Sequence, residues 1–265
     1  MKTICTLILF ILLQSILAQK TVEVDLKRHF DKYNVNGCFV LFDQAKNEYL
    51  KHNIARCDSG FIPASTFKIP HSLIALEEQI ISDTTQIIKW NGYNWPYQAW
   101  NKDQNLKSAI KFSCVWFYEE IAKQIEVSTY NRYLQLFNYG NKDISVGSPT
   151  RFWLSGSLKI SAMQQVDFLS KFYNNEFAGI SDKSTNSVKS IIVQQHNKQY
   201  KLSVKTGRGN IDGNFDIFWY VGYVEQNNNV YFFAMNYTAN ATRNVSGARQ
   251  KITKSILSEL LQLKQ

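Results

Sequence analysis

Strand-like segments stand near both ends of this chain, with long helix-like and irregular stretches between them. The run Gly37-Cys38-Phe39-Val40-Leu41-Phe42 and the residues up to Lys51 read as two strands around the turn-forming Asp43-Gln44-Ala45-Lys46-Asn47. Residues 200–205, 217–224 and 230–237 are β-branched and aromatic runs separated by polar turns, and Gln226-Asn227-Asn228-Asn229 predicts a hairpin connection. Residues 81–190 follow a mostly helical pattern, and the chain closes on an amphipathic helix with Ile252, Ile256, Leu260 and Leu263 on one stripe. Strands drawn from both ends can share one core only if they meet in a common sheet. The expectation is therefore an α+β fold: a central antiparallel sheet from both chain ends, flanked by helices, with a mainly helical insertion. The α/β part is assigned to residues 19–80 and 195–265, and the helical part to 81–194.

Residues 1–18 read as a signal peptide, a lysine followed by an apolar run too short to span a bilayer comfortably, with Ala18 at the cleavage position. That implies export to a periplasm or the medium, with no stable membrane anchor. The formal net charge is +9, but Lys and Arg are scattered with no dense run and no zinc-finger or RNA-recognition pattern. A nucleic-acid partner is therefore not expected. The histidines, His29, His52, His71 and His196, show no paired metal-ligand spacing, so no metal is expected.

Cys5 falls in the leader, which leaves Cys38, Cys57 and Cys114. Export permits oxidation, and a hairpin could bring Cys38 and Cys57 together, either as a disulfide or as two small buried thiols. A bridge closing that loop would stabilise the fold by roughly 3 kcal/mol. Cys114 reads as a packed free thiol.

The chemistry concentrates in Ser65-Thr66-Phe67-Lys68, directly after Pro63-Ala64 and before apolar residues at helical spacing, Ile69, Leu73, Leu76 and Ile80. Three residues along a helix bring a hydroxyl and an amine onto one face, within reach of proton transfer. The amine can act as a base only if burial or modification removes its charge. The competing reading makes Ser65 a helix N-cap and Lys68 a solvated first-turn residue. Pro70 breaks the helical pattern.

Ser113-Cys114-Val115 follows a helix-like run, Tyr139-Gly140-Asn141 sits at a turn, and Lys205-Thr206-Gly207 ends the first C-terminal strand. S-x-x-K, a second S-x-x element and K-T-G, in this order, form the three-part pattern of serine enzymes that react with penicillins. With Tyr139-Gly140-Asn141 and Phe152-Trp153-Leu154 added, the chain resembles the class D β-lactamases (oxacillinases) over nearly all of its length from Gly37 to the terminal helix.

The resemblance implies a serine β-lactamase/penicillin-binding-like fold and hydrolysis of the lactam amide in penicillin-type antibiotics, an antibiotic-resistance activity. By it, Ser65 attacks the lactam and forms an acyl-enzyme. Lys68, carboxylated by CO2 or bicarbonate to N6-carboxylysine, is the general base, and no other cofactor is implied. Phe67, Val115, Trp153 and Leu154 line the carbamate pocket, with the Trp153 indole donating to the carbamate. The oxyanion rests on the backbone N–H groups of Ser65 and Arg208. Ser113 and Lys205 relay the proton to the leaving nitrogen, and Thr206, Gly207 and Arg249 hold the substrate. Tyr139-Gly140-Asn141 is read as a structural turn.

Arg208-Gly209-Asn210-Ile211-Asp212-Gly213 departs from the family pattern on an edge that lines the cleft, and the aromatic stretch Tyr93 to Tyr97 lies near its mouth, so substrate preference is left open. The sequons at Asn236, Asn240 and Asn244 read as compositional accidents. Two rivals share the fold: a β-lactam sensor domain and a penicillin-binding transpeptidase or carboxypeptidase, both of which acylate without efficient turnover. Val115 in place of Asn, together with Trp153-Leu154, favours turnover. Monomer and homodimer both stay open.

Overall fold

The computed structural model describes residues 19–263. The leader assigned to residues 1–18 lies outside them. Seven strands form one sheet: β1 Lys20–Glu23, β2 Asn36–Asp43, β3 Glu48–His52, β4 Val193–His196, β5 Lys201–Asn210, β6 Phe215–Gln226 and β7 Asn229–Asn240. Their spatial order is β1-β3-β2-β7-β6-β5-β4, so β2 from the N-terminal end and β7, the last strand of the chain, pair at the centre. The sheet is antiparallel except at one edge, where β1 runs parallel to β3. The central antiparallel sheet from both chain ends is as expected, and the parallel pair is an addition at its edge. β1 reaches its edge before the chain crosses through α1 (Lys27–Asp31) into β2, and its four mostly exposed residues carry little alternation to read.

Period-two alternation sorts the side chains onto two faces. Phe39, Leu41, Phe218, Tyr220, Phe233 and Met235 join Ile252 and Ile256 of the terminal helix in one core. Val40, Phe42, Trp219, Val221, Phe232 and Ala234 join the helical part in the other. Each buried Val, Leu, Ile, Phe or Met among them contributes about 1.5–3 kcal/mol of transfer free energy. The β6–β7 connection is a two-residue turn in which Asn227 and Asn228 both take positive φ (51° and 59°), the geometry of a tight hairpin.

After β3 come α2 (Ile54–Cys57), a 3-10 turn over Ala64–Phe67 and α3 (Lys68–Glu77). Pro70 falls in the first turn of α3, where proline is tolerated, so it is no breach of the helix. The helical part holds α4 (Leu106–Phe112), α5 (Val115–Ala122), α6 (Val127–Leu136), α7 (Phe152–Ser155), α8 (Ala162–Tyr173) and α9 (Asp182–Ile191). The terminal helix is α10 (Ala248–Leu261). α8 lies against β2, β6 and β7 on one face, while α1 and α10 cover the other.

Cys38 and Cys57 are both fully buried free thiols, so of the two alternatives the structure has the unbridged one. The Cys57 Sγ–H donates to the His52 carbonyl at 3.1 Å, and its contact with Cys38, together with burial, pushes that thiol up from its ordinary range. Cys114 is a third buried free thiol. Asn236 lies at 0 % exposure within β7 and accepts from Arg56 Nε at 2.8 Å, so its sequon is closed to modification in the folded chain.

Candidate active site

The turn that carries Ser65 is fixed from four sides. Phe61 and Ile160 exchange backbone hydrogen bonds of 2.9 and 2.8 Å, and Trp219 Nε1 donates to the Ile62 carbonyl at 3.0 Å. Thr66 Oγ1 donates to the Pro63 carbonyl at 2.7 Å and accepts from the buried Gln165 Nε2 at 2.7 Å. Ala64 takes φ +50°, a left-handed conformation that costs a non-glycine residue about 1–3 kcal/mol. Ser65 follows in the 3-10 turn and makes no side-chain cap, so the N-cap reading of its hydroxyl does not hold. Instead Lys68 Nζ donates to Ser65 Oγ at 3.2 Å.

Lys68 is fully buried. Its Nζ sits 4.9 Å from the centre of the Tyr118 ring and has no acidic partner among the ion pairs of the described residues. Burial pushes the amine down to about 7, with the nearby Cys114 and Glu119 pulling weakly the other way. Trp153 is fully buried, lies flat against Phe67 with ring centres 6.0 Å apart, and its indole N–H has no hydrogen-bond partner among the described residues. An orphaned buried donor costs about 1–3 kcal/mol, so this nitrogen marks a place for an acceptor. A buried amine against the Tyr118 ring, and an unused donor linked to that ring through His71, are what a carboxylated lysine would need: a neutral nucleophile for CO2 and a bond to the anion formed.

The second element arrives at the end of α4. Ser113 takes φ +53° there, and Cys114 N–H closes the turn onto the Ala109 carbonyl at 2.8 Å. That left-handed kink turns the Ser113 hydroxyl to Lys205, whose Nζ donates to it at 2.5 Å and to the Thr206 carbonyl at 3.0 Å. Burial, then the charges of Lys68 and Arg249, hold Lys205 well below the ordinary lysine range. β4 covers β5 only over Lys201–Ser203, which leaves the edge from Lys205 onward open. Gly207 makes close approach possible: a Cβ there would meet the Pro63 carbonyl at 3.1 Å and Thr66 Cγ2 at 3.2 Å. Arg249 Nη1 donates to the Gly207 carbonyl at 2.8 Å, which brings α10 to the same edge.

Ser65, Lys68, Ser113, Lys205, Thr206, Gly207 and Arg249 thus converge from a turn, three helices and one strand. The Arg208 side chain leaves the group: its Nε pairs with Asp216 at 2.6 Å, within the β5–β6 hairpin. Val115 and Leu154 are only partly buried, while Phe67 and Trp153 are fully so. Tyr118, His71 and Gln165 hold the site without having been singled out in the sequence. Cys114, Tyr118 and Ile121 do fall at helical spacing, a signal for one buried face but not for what it faces. At the mouth, Trp100 Nε1 donates to the Phe112 carbonyl at 3.0 Å and packs on Tyr97 with ring centres 4.9 Å apart, tying the aromatic loop to the end of α4. Tyr139-Gly140-Asn141 is a clamp: Asn141 N–H donates to the Lys159 carbonyl at 2.9 Å and Asn141 Oδ1 accepts from Lys159 N–H at 2.9 Å.

The family profile described as the penicillin binding protein transpeptidase domain matches residues 37–262. The chain is 40% identical over 232 residues to the β-lactamase OXA-48 of Klebsiella pneumoniae, covering 87% of this chain and 86% of that one. It is 39% identical over 212 residues to the regulatory protein BlaR1 of Bacillus licheniformis, covering 80% of this chain but 35% of BlaR1. The crystal structure of a class D β-lactamase from Sebaldella termitidis superposes with a TM-score of 0.88 at 36% identity, covering 92% of this chain and 99% of that one.

Proposed function

The chain belongs to the penicillin binding protein transpeptidase family and, within it, to the class D β-lactamases, and from that premise we propose hydrolysis of penicillin-type lactams through an acyl-enzyme on Ser65, with carboxylated Lys68 as base. The observation that carries the reading is the fully buried Lys68 amine, 3.2 Å from Ser65 Oγ and without an acidic partner among the described residues. Such a nitrogen is uncharged for much of the time near neutral pH, so it can take up CO2. When carboxylated, Lys68 supplies a general base for the serine hydroxyl and later for water.

The chain's own residues do the rest. Ser65 attacks the lactam carbonyl. Val204 N–H bonds outward to the Ile192 carbonyl, and alternation along β5 turns the Arg208 N–H to the same open edge, where with Ser65 N–H it supports the oxyanion. One such donor is often worth about 3 kcal/mol of barrier. Ser113, held at 2.5 Å by Lys205, hands a proton to the departing nitrogen. Arg249 and Thr206 hold the substrate carboxylate, with the guanidinium as a fixed fork. Water then cleaves the ester and frees Ser65. Residues 1–18 support export before this activity is expressed, and among the described residues no helix is long and apolar enough to cross a membrane.

The likeness to BlaR1 supports a second reading, a receptor that is acylated and stays so. Nitrocefin separates them. Sustained turnover far beyond one equivalent is the outcome expected of the lactamase, and a burst that stops at one equivalent per chain would overturn that reading in favour of the receptor.

A further inference from the structure

His71 stands one helical turn beyond Lys68 on the same face of α3. Its ring is fully buried and packs against Trp153, Tyr118, Tyr130 and Phe67, with centres 4.9, 5.2, 5.5 and 5.7 Å away. The Tyr118 ring is also the one that faces Lys68 Nζ, so imidazole and amine share a cage. His71 Nε2 is hydrogen-bonded to Tyr130 Oη at 2.7 Å, while Nδ1 has no partner among the described residues. The nearest aromatic neighbour, Trp153, carries the other orphaned nitrogen of the cage. Burial and then the Lys68 charge hold the imidazole well below its ordinary range, so it is neutral while Lys68 is a cation or an amine.

Carboxylation of Lys68 has a proton to dispose of. The Nζ lone pair forms an N–C bond to CO2, one C=O electron pair moves onto oxygen, and Nζ gives up one proton as the carbamate anion forms. Sending that proton to solvent would leave a lone anion in a dry cage, which is unfavourable unless it is paired. We propose that His71 accepts this proton and remains beside the carboxylated Lys68 as its imidazolium counter-ion. Lysine, CO2 and imidazole then become carbamate and imidazolium with no change in net charge. Nδ1 takes the proton, and Tyr130 Oη accepts from Nε2–H.

The other groups around the cage leave this role to His71. Tyr118 of α5 and Tyr130 of α6 are phenols pushed up by burial and stay neutral. Trp153 of α7 does not titrate. Cys114 and Glu119 act on Lys68 from the α5 side, and Lys205 is engaged with Ser113. The inference rests on the carboxylated-lysine reading above, which its test can separate from it.

The test is NMR with 13C-bicarbonate and 15N-histidine, with H71N used to assign the ring and H71Q as a second variant. Expected is a carbamate carbon signal in the unsubstituted protein, with the His71 ring nitrogens moving from the neutral to the imidazolium pattern in step with it. In H71N and H71Q the carbamate should be lost at a higher pH, its midpoint raised by about one unit, a tenfold change in proton activity. A full carbamate signal beside a neutral His71, or variants with an unchanged midpoint, would overturn the inference alone. No carbamate signal in the unsubstituted protein at any pH would overturn it together with the Lys68 reading.

Discussion

Lys205 Nζ donates to Ser113 Oγ at 2.5 Å across 92 residues of sequence, so the end of α4 and the open edge of β5 meet in a single hydrogen bond. Removing either partner should slow acylation more than it weakens substrate binding, because the role proposed for the pair is at the leaving nitrogen. Ser113→Ala and Lys205→Ala are each expected to lower kcat/KM for benzylpenicillin by about 100- to 10,000-fold. Stopped-flow acylation rates check this, and a variant within a factor of two of the parent would remove that residue from the proton path.

Lys68→Ala should acylate slowly and then stall, leaving an intact-mass increment of one penicillin on Ser65. Full-rate hydrolysis by this variant would show that the base lies elsewhere. In the unsubstituted protein the amine, pushed down to about 7, is neutral above that pH and protonated below it. Without added bicarbonate, activity is therefore expected to fall as pH drops through about 7, and to recover when the pH is restored. An acidic limb centred two units higher would contradict the burial argument.

Trp153→Phe keeps an aromatic ring against Phe67 and His71 while removing the indole N–H together with its five-membered ring. It should fold and yet need added bicarbonate for full rate. Trp153→Ala empties a fully buried site and should also lose about 3–5 kcal/mol of stability by urea unfolding. If Trp153→Phe is indifferent to bicarbonate, the indole is packing alone.

Gly140→Ala should act on stability and not on chemistry. Gly140 takes φ +58°, and a Cβ there would stand 2.1 Å from the Lys159 carbonyl oxygen. Strain and overlap together should cost about 2–5 kcal/mol, read from the urea midpoint. The folded fraction should hydrolyse at the parental rate, and a selective loss of kcat would give the turn a chemical part.

The purified chain starting after Ala18 should titrate three thiols under denaturant without reductant, from Cys38, Cys57 and Cys114. One thiol would mean that the Cys38–Cys57 contact closes into a bridge.

Much of the architecture was legible because the signals are local. The β2–β3 hairpin, the asparagine turn at 227–228 and the buried stripe of α10 each follow from residues close together in sequence. β1 was not legible, since four mostly exposed residues show little alternation and their parallel pairing depends on where α1 delivers the chain. At the site, the motif residues could be named in advance, but not the surroundings that give Lys68 its character. Tyr118 carries no signal of the site in the sequence and His71 only the absence of metal-ligand spacing, and their place is set when α5, α6 and α7 fold around α3. Cys38 and Cys57 illustrate the converse: sequence brings two thiols near each other, while the His52 carbonyl determines how one of them points.

The order of the strands has a consequence for when this chain becomes active. β7 lies between β2 and β6, so the half bearing Ser65 and Lys68 cannot be joined through the sheet to the half bearing Lys205 until that late segment has been synthesised and docked. Pairing partners so remote must pay a large loop-closure entropy before any contact rewards them, which favours slow assembly. A nascent chain that stops short of Asn240 carries its nucleophile but has no completed β7 to align the cleft. The reactive centre is thereby withheld until translation of the sheet is finished.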